Sequence, residues 1–165
     1  MIGDCVAAIM GVWLSLAPWY GDRHDSHEAR EALYRPVAVA ICQATEDPGG
    51  RAFLGAQTYW ETRLARHVLE ERCHEGPAGA RCDGGRSIGP WQPRRWCGGA
   101  WDMNLTRAER YLAGARCALG LWWGGLARCH TVEGGFVAQG GGKGCRRDWA
   151  RRRVPLWQRM LAVLR

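Results

Sequence analysis

The sequence predicts a mainly α-helical, disulfide-stabilised domain, and three observations support this class. Apolar residues recur at helical spacing over most of the chain, and no segment alternates apolar and polar residues over the length of a strand. The eight cysteines form an even number and are spread along the chain. With 165 residues the chain is long enough for a sizeable core, so residues 1–165 are assigned to a single domain.

Five helices are predicted from apolar stripes and capping signals. They cover residues 4–17, 25–47, 51–72, 106–123 and 147–165. In the third, Phe53, Trp60 and Leu64 repeat at helical spacing, and the fourth opens with Thr106 and Glu109 at the spacing of a capping box. The stretch between them, which contains several glycines and prolines, is predicted to be a loop, with a small β-hairpin as an alternative inside residues 80–100.

The apolar segment 5–17 is too short to cross a membrane. A signal peptide would begin with a positively charged residue, whereas Asp4 precedes this segment and no Lys or Arg does. We therefore predict a buried first helix, and no export route is assigned.

Charge is distributed unevenly along the chain. Residues 1–83 hold eight Lys/Arg and twelve Asp/Glu, a net charge of −4, whereas residues 84–165 hold fifteen and four, a net charge of +11. A basic half favours an anionic partner: nucleic acid, a membrane surface, or an acidic polymer such as bacterial cell wall. Charge alone does not choose among these partners. Segment 147–165 is basic and amphipathic, so a protein that binds a membrane surface or nucleic acid remains an alternative.

The cysteines predict disulfides and an extracytoplasmic location, which includes the periplasm, the cell wall and secreted or phage-delivered proteins. No Cys-x-x-Cys pair occurs, so the spacing of a zinc ribbon is absent. Local spacing favours the pairs Cys73–Cys82, Cys97–Cys117 and Cys129–Cys145. A zinc site formed by Cys73, His74 and Cys82 is the weaker alternative, and no metal is predicted.

Glu61 is the first candidate for chemistry. It follows Trp60 in the third predicted helix and lies at the edge of the apolar stripe. A carboxyl at such an edge is partly desolvated, and desolvation favours the protonated form that can donate to a leaving oxygen. The alternative is a solvated helical Glu paired with a neighbouring arginine.

The loop that contains Ser-Ile-Gly-Pro-Trp-Gln is the second candidate, and Gln92 lies 31 residues after Glu61. A helix with Glu-Thr followed by Ser-x-Gly-x-x-Gln resembles the soluble lytic transglycosylases and goose-type lysozymes of the lysozyme-like superfamily. The matching positions are Glu61, Ser87, Gly89 and Gln92, with Trp91 directly before the glutamine. This resemblance extends over roughly residues 50–140. It implies a lysozyme-like fold in which residues 1–47 are an N-terminal helical extension packed on the catalytic core.

The resemblance also implies an activity and residue roles. Glu61 would act as general acid and then general base, without cofactor or metal, on the MurNAc–GlcNAc β-1,4 bond of peptidoglycan. Ser87 and Gln92 would hydrogen-bond the sugar next to the scissile bond. Gly89 would let the backbone approach the ligand, and the glycan would stack on tryptophan faces such as that of Trp91. The expected partner is the glycan strand, and no nucleic acid is expected.

One departure from the family pattern concerns a Tyr-Asn pair that usually contacts the sugar and the glutamate. The equivalent region here has Phe136 and Gln139 and no Tyr-Asn. Gln139 is therefore assigned to the tyrosine's place. A catalytically weak or inactive glycan-binding or structural protein of the same fold remains a further alternative.

The reaction type depends on a second carboxylate. A lytic transglycosylase works with one Glu and leaves a 1,6-anhydro ring, whereas an inverting lysozyme needs a second carboxylate to activate water. Asp83 is the candidate in the loop, and its alternative role is that of a turn residue in Cys-Asp-Gly-Gly. The sequence therefore favours a transglycosylase, with a hydrolase that uses Glu61 and Asp83 as the alternative.

Overall fold

A computed structural model describes residues 1–17, 22–72, 88–93 and 95–165. These residues are mainly helical and include no strand. The α-helices are α1 (Ile2–Leu14), α2 (His27–Ala44), α3 (Pro48–Thr62), α4 (Arg66–Leu69), α5 (Arg107–Cys129), α6 (Val132–Gln139), α7 (Asp148–Arg151) and α8 (Val154–Leu164), and a 3-10 helix covers Gly98–Trp101. The predicted helical class is confirmed. Residues 88–93 and 95–100 contain no strand, so this part of the chain does not form the alternative β-hairpin. The other residues of the range 80–100 lie outside the described residues.

Helices α1 and α2 pack against each other, and α1 also packs on α8. The first helix is buried as predicted, and the Trp13 indole donates to the Gly55 carbonyl of α3 at 3.1 Å. Ser26 caps α2 by accepting from the Ala29 amide. These N-terminal helices share one hydrophobic core with α3, α5, α6 and α8. The division into an extension and a catalytic core stays a prediction.

The third predicted helix, residues 51–72, is in fact two helices. Asp47 caps α3 by accepting from the Gly50 amide, so the helix begins earlier than expected, with proline at its start. It ends because Arg63 and Leu64 adopt left-handed backbone angles, with φ of 51° and 57°. The Thr62 hydroxyl accepts from the Leu64 amide at 2.9 Å and supports this turn.

The C-terminal half is built around α5, which packs on α2, α3, α6 and the 3-10 helix. Its predicted capping box is confirmed, with Thr106 and Glu109 each bonding the other's backbone amide. The helix runs past the predicted end to Cys129 and stops at His130, whose φ is 55°. The predicted helix 147–165 is divided into α7 and α8, and proline lies at the start of α8.

Three disulfides join elements of the described chain. Cys97–Cys117 and Cys129–Cys145 confirm two of the predicted local pairs, and Cys5–Cys42 joins α1 to α2. The predicted pair Cys73–Cys82 lies outside the described residues. Among the helices that the structure describes, none has the length and apolar composition needed to cross a bilayer.

Tyr34 provides a test of the packing between α2 and its neighbours. Its side chain is buried, and burial raises the pKa of Tyr34 to about 12. Because the folded pKa lies above the unfolded value, the stabilising contribution is complete below about pH 10 and is lost as pH rises toward about 12. Raising the pH from about 9 to about 11 should therefore cost about 1.4 kcal/mol through Tyr34 alone.

The measurement is urea unfolding of the wild type and of Tyr34→Phe at both pH values. Between pH of about 9 and about 11, the free energy of unfolding of Tyr34→Phe should fall by about 1.4 kcal/mol less than that of the wild type. Equal losses in both proteins would show that the phenol is not desolvated in the fold.

Candidate functional site

The loop of residues 88–93 lies between α3, α5 and α6, and Trp91 anchors it. The Trp91 indole is fully buried, and its Nε1 donates to the Leu54 carbonyl of α3 at 3.2 Å. The ring also makes an edge-on contact with Tyr111 of α5. Trp91 therefore lies in the core of this structure, where its indole face is not available for stacking on a sugar.

The backbone of this loop is closed on itself. Gly89 and Gln92 both have left-handed angles, with φ of 65° and 50°. The Gln92 side chain donates from Nε2 to the Gly89 carbonyl at 2.8 Å, and the Gln92 amide donates to the same oxygen at 3.3 Å. The amide side chain predicted to bind a sugar thus supports the turn through its nitrogen.

Glu61 lies at the end of α3 and is held by two partners. Arg153 donates from Nη1 to Glu61 Oε1 at 2.6 Å, and Gln57 donates from Nε2 to the same oxygen at 2.8 Å. Arg153 also donates to Gln57 Oε1 at 2.6 Å and lies over the Trp149 ring, 4.5 Å from its centroid. The arginine partner of Glu61 is therefore Arg153, near the other end of the chain, and not one of the neighbouring arginines.

Gln139 connects the Glu61 cluster to the loop. It accepts a hydrogen bond from Gln57 and donates from Nε2 to the Trp91 carbonyl at 2.9 Å. Three residues of the predicted site, Glu61, Gln139 and Trp91, are therefore joined through Gln57. The assignment of Gln139 to the place of the family's tyrosine stays a prediction.

A second carboxylate, which no pattern in the sequence indicates, lies directly beside the loop. Glu71 follows α4, its side chain is 6% exposed, and it forms an ion pair with Arg110 of α5. It borders a small cavity with Gly89, Trp91 and Tyr111. Burial first, and then the Glu71 carboxylate, raise the pKa of Tyr111 above its ordinary value, so the phenol stays neutral and donates to the Leu69 carbonyl.

Ser87 and Asp83 lie outside the described residues, as do Cys73, His74 and Cys82 of the zinc alternative. Across the ranges that are described, no group of three or more His, Cys, Asp or Glu side chains could hold a metal ion.

Comparison with known proteins adds no relative. No protein-family model, no curated protein and no solved structure matches the chain. The resemblance to the lysozyme-like superfamily therefore rests on the residues of the helix and the loop alone.

Proposed function

We propose that this chain cleaves the glycan strand of peptidoglycan at the MurNAc–GlcNAc β-1,4 bond, as a lytic transglycosylase. The observation that carries the proposal is the placement of the loop with Gly89 and Gln92 beside carboxylates. Glu71 borders the loop directly, and Glu61 is joined to it through Gln57 and Gln139. Cleavage of a glycosidic bond needs a carboxyl group at the scissile oxygen.

The proposed reaction uses one carboxyl group, that of Glu61, twice. It first donates its proton to the oxygen between the sugars, and the bond from that oxygen to C1 of the muramic sugar breaks. The resulting carboxylate then takes the proton of the C6 hydroxyl of the same sugar, whose oxygen bonds to C1. No water is consumed, and the product ends in a 1,6-anhydro ring. A hydrolase that uses Asp83 to activate water is the alternative.

Charge and disulfides are compatible with this substrate. The net charge of +11 over residues 84–165 suits an anionic wall polymer. The three disulfides suit an oxidising, extracytoplasmic compartment, where the wall lies. Both features are shared with other secreted basic proteins, so the loop and its carboxylates remain the deciding feature.

Digestion of purified, insoluble peptidoglycan followed by mass spectrometry of the released fragments tests the proposal. The expected products end in 1,6-anhydro-muramic acid and are one water lighter than hydrolytic products. Reducing ends would instead indicate hydrolysis and would favour Asp83 as the water-activating base. Binding to the glycan without release of soluble fragments would contradict the proposal and support an inactive glycan-binding protein of this fold.

A further inference from the structure

Trp149 in α7 is an exposed aromatic residue that belongs to the Glu61 cluster. It is 37% exposed, and the Arg153 guanidinium lies over its ring, 4.5 Å from the centroid. The same guanidinium donates to Glu61 Oε1 at 2.6 Å. A single side chain therefore connects an exposed indole to the carboxyl of the proposed reaction. Trp91, by contrast, is fully buried and offers no face to a sugar.

Glu61 stays open to a ligand although it has two partners. Its side chain is 24% exposed, about twice the exposure of the Arg153 side chain at 12%. Among the contacts with described residues, the hydrogen bonds from Gln57 and Arg153 both end on Oε1. Oε2 is therefore the oxygen left for the substrate, which a general acid must reach directly. Glu61 and Trp149 are the exposed members of this cluster, and Arg153 lies between them.

The Trp149 ring is held from two directions. Arg153 covers one face, and its guanidinium is itself fixed on Glu61 and Gln57. The end of the ring lies against Gly140 after α6, where a Cβ would be 2.7 Å from Trp149 Cη2. A side chain that is already fixed loses little conformational entropy when a ligand binds to it. Because Arg153 occupies one face of the indole, a sugar would stack on the other.

Arginines surround Trp149 in the sequence. Residues 146–153 hold five arginines and one aspartate. Four of these arginines are exposed, namely Arg146, Arg147, Arg151 and Arg152. In peptidoglycan the muramic sugars carry stem peptides with free carboxylates, whereas the alternating GlcNAc units are uncharged. A basic segment around an aromatic ring therefore fits a muramic sugar and its stem peptide better than a neutral sugar.

A basic segment with an exposed tryptophan is also typical of proteins that bind a membrane surface. The packing of α8 argues against that partner. Its apolar residues Leu156, Trp157 and Leu161 pack against the hydrophobic core, and Met160 is fully buried. An amphipathic helix on a membrane needs this apolar face for the lipid. The structure therefore favours the glycan as the ligand of Trp149.

We propose that Trp149 is the platform on which a muramic sugar with its anionic stem peptide stacks beside Glu61. The identity of this ligand rests on the proposed function. The apolar face of the sugar ring packs on the indole face opposite Arg153, and the exposed arginines of residues 146–153 attract the carboxylates of the peptide. Arg153 connects the platform to Glu61, so a sugar bound on Trp149 has a fixed position relative to the catalytic carboxyl.

The test measures binding and cleavage of soluble glycan fragments that keep their stem peptides. Binding is measured by calorimetry in the Glu61→Gln background, where the fragments stay intact and the amide oxygen can still accept from Arg153. Trp149→Ala should raise both Kd and KM by about tenfold, because stacking holds the substrate. It should keep kcat within about threefold, since the indole takes no part in proton transfer. Circular dichroism checks the folding of every variant.

Three further variants make the result specific to stacking. Trp149→Phe keeps an aromatic face and should recover most of the affinity. Trp149→Leu keeps an apolar side chain without such a face and should bind as weakly as Trp149→Ala. Trp96→Ala is the matched control, because Trp96 is 61% exposed and lies in another part of the chain, and it should change neither Kd nor KM.

Unchanged Kd and KM in Trp149→Ala would overturn the platform and leave the proposed cleavage intact. A fall in kcat with unchanged Kd would overturn it as well, since Trp149 would then act by holding Arg153 and Glu61. Equal affinities of the Phe and Leu variants would also contradict stacking. Loss of binding to vesicles of phosphatidylglycerol and phosphatidylcholine, with glycan binding unchanged, would assign Trp149 to a membrane surface instead. A wild type that binds the fragments through Trp149 without cleaving them would overturn only the proposed function.

Discussion

Replacing Gly125 by alanine is expected to lower the free energy of unfolding by about 3 kcal/mol or more, whereas Gly124→Ala should leave it unchanged or raise it by about 0.5–1 kcal/mol. The two glycines are neighbours in α5 but face opposite surroundings. A Cβ on Gly125 would lie 2.4 Å from the Gly134 carbonyl oxygen and 2.5 Å from the Ala138 Cβ, both in α6. A Cβ on Gly124 meets no atom within 4 Å.

The neighbours of Gly125 have little freedom to move. Gly134 is itself packed on Cys129, so that a Cβ there would lie 2.2 Å from the Cys129 Cβ, and Cys129 is fixed in a disulfide. A Cβ on Gly135 would lie 2.2 Å from Trp122, which is stacked on Phe53 at 5.0 Å between ring centroids. Glycine on both helices therefore lets α5 and α6 approach closely, and an added methyl group must separate them.

Urea unfolding with intact disulfides measures both variants. The comparison controls for helix propensity, since both changes put alanine for glycine inside one helix. Equal effects of the two substitutions would contradict the close contact between α5 and α6. The contact also bears on the site, because α6 carries Gln139 to the Trp91 carbonyl, so Gly125→Ala should reduce peptidoglycan cleavage as well.

Local signals in the sequence identify the helix starts better than the breaks inside helices. Thr106 and Glu109 specify a capping box from four consecutive residues. The break at Arg63 and Leu64 was not predicted, because Leu64 and Val68 continue the apolar spacing and are buried whether or not the helix is continuous. Apolar periodicity indicates which side chains face the core. It does not reveal a turn in the backbone when the side chains on both sides of that turn still face the core.

The contacts of the candidate site also differ in how far the sequence predicts them. Gln57 and Glu61 are one helical turn apart, so their contact could be expected from spacing alone. Arg153 is 92 residues from Glu61, and nothing in its arginine-rich neighbourhood distinguishes it from solvated residues.

Glu71 was not selected because it stands in Glu-Glu-Arg, which is typical of an exposed helix end. Its burial depends on Arg110, 39 residues away, and on the loop that covers it. Only the folded chain brings this carboxylate next to Gly89. The two confirmed local disulfides have short separations of 20 and 16 residues, whereas Cys5–Cys42 spans 37 and had no local signal.

Arg110→Met is expected to lower the free energy of unfolding by about 3–5 kcal/mol, because it leaves the buried Glu71 carboxylate without a partner. The side chains of this pair are 11% and 6% exposed, and Arg110 also donates to the Leu105 carbonyl. Arg35→Met is the matched control, since Arg35 and Glu31 form a pair with side chains 56% and 37% exposed, and its loss should cost at most about 1 kcal/mol.

The double variant Glu71→Met/Arg110→Met separates the loss of the arginine from the cost of the unpaired carboxylate. Removing both charges also removes the cost of an unpaired buried carboxylate, so the double variant should recover at least about 2 kcal/mol relative to Arg110→Met. Urea unfolding of the wild type, of Arg110→Met and of the double variant measures the recovery. A double variant that is no more stable than Arg110→Met would show that the unpaired Glu71 carboxylate does not cause the loss, and that the lost packing of the Arg110 side chain does.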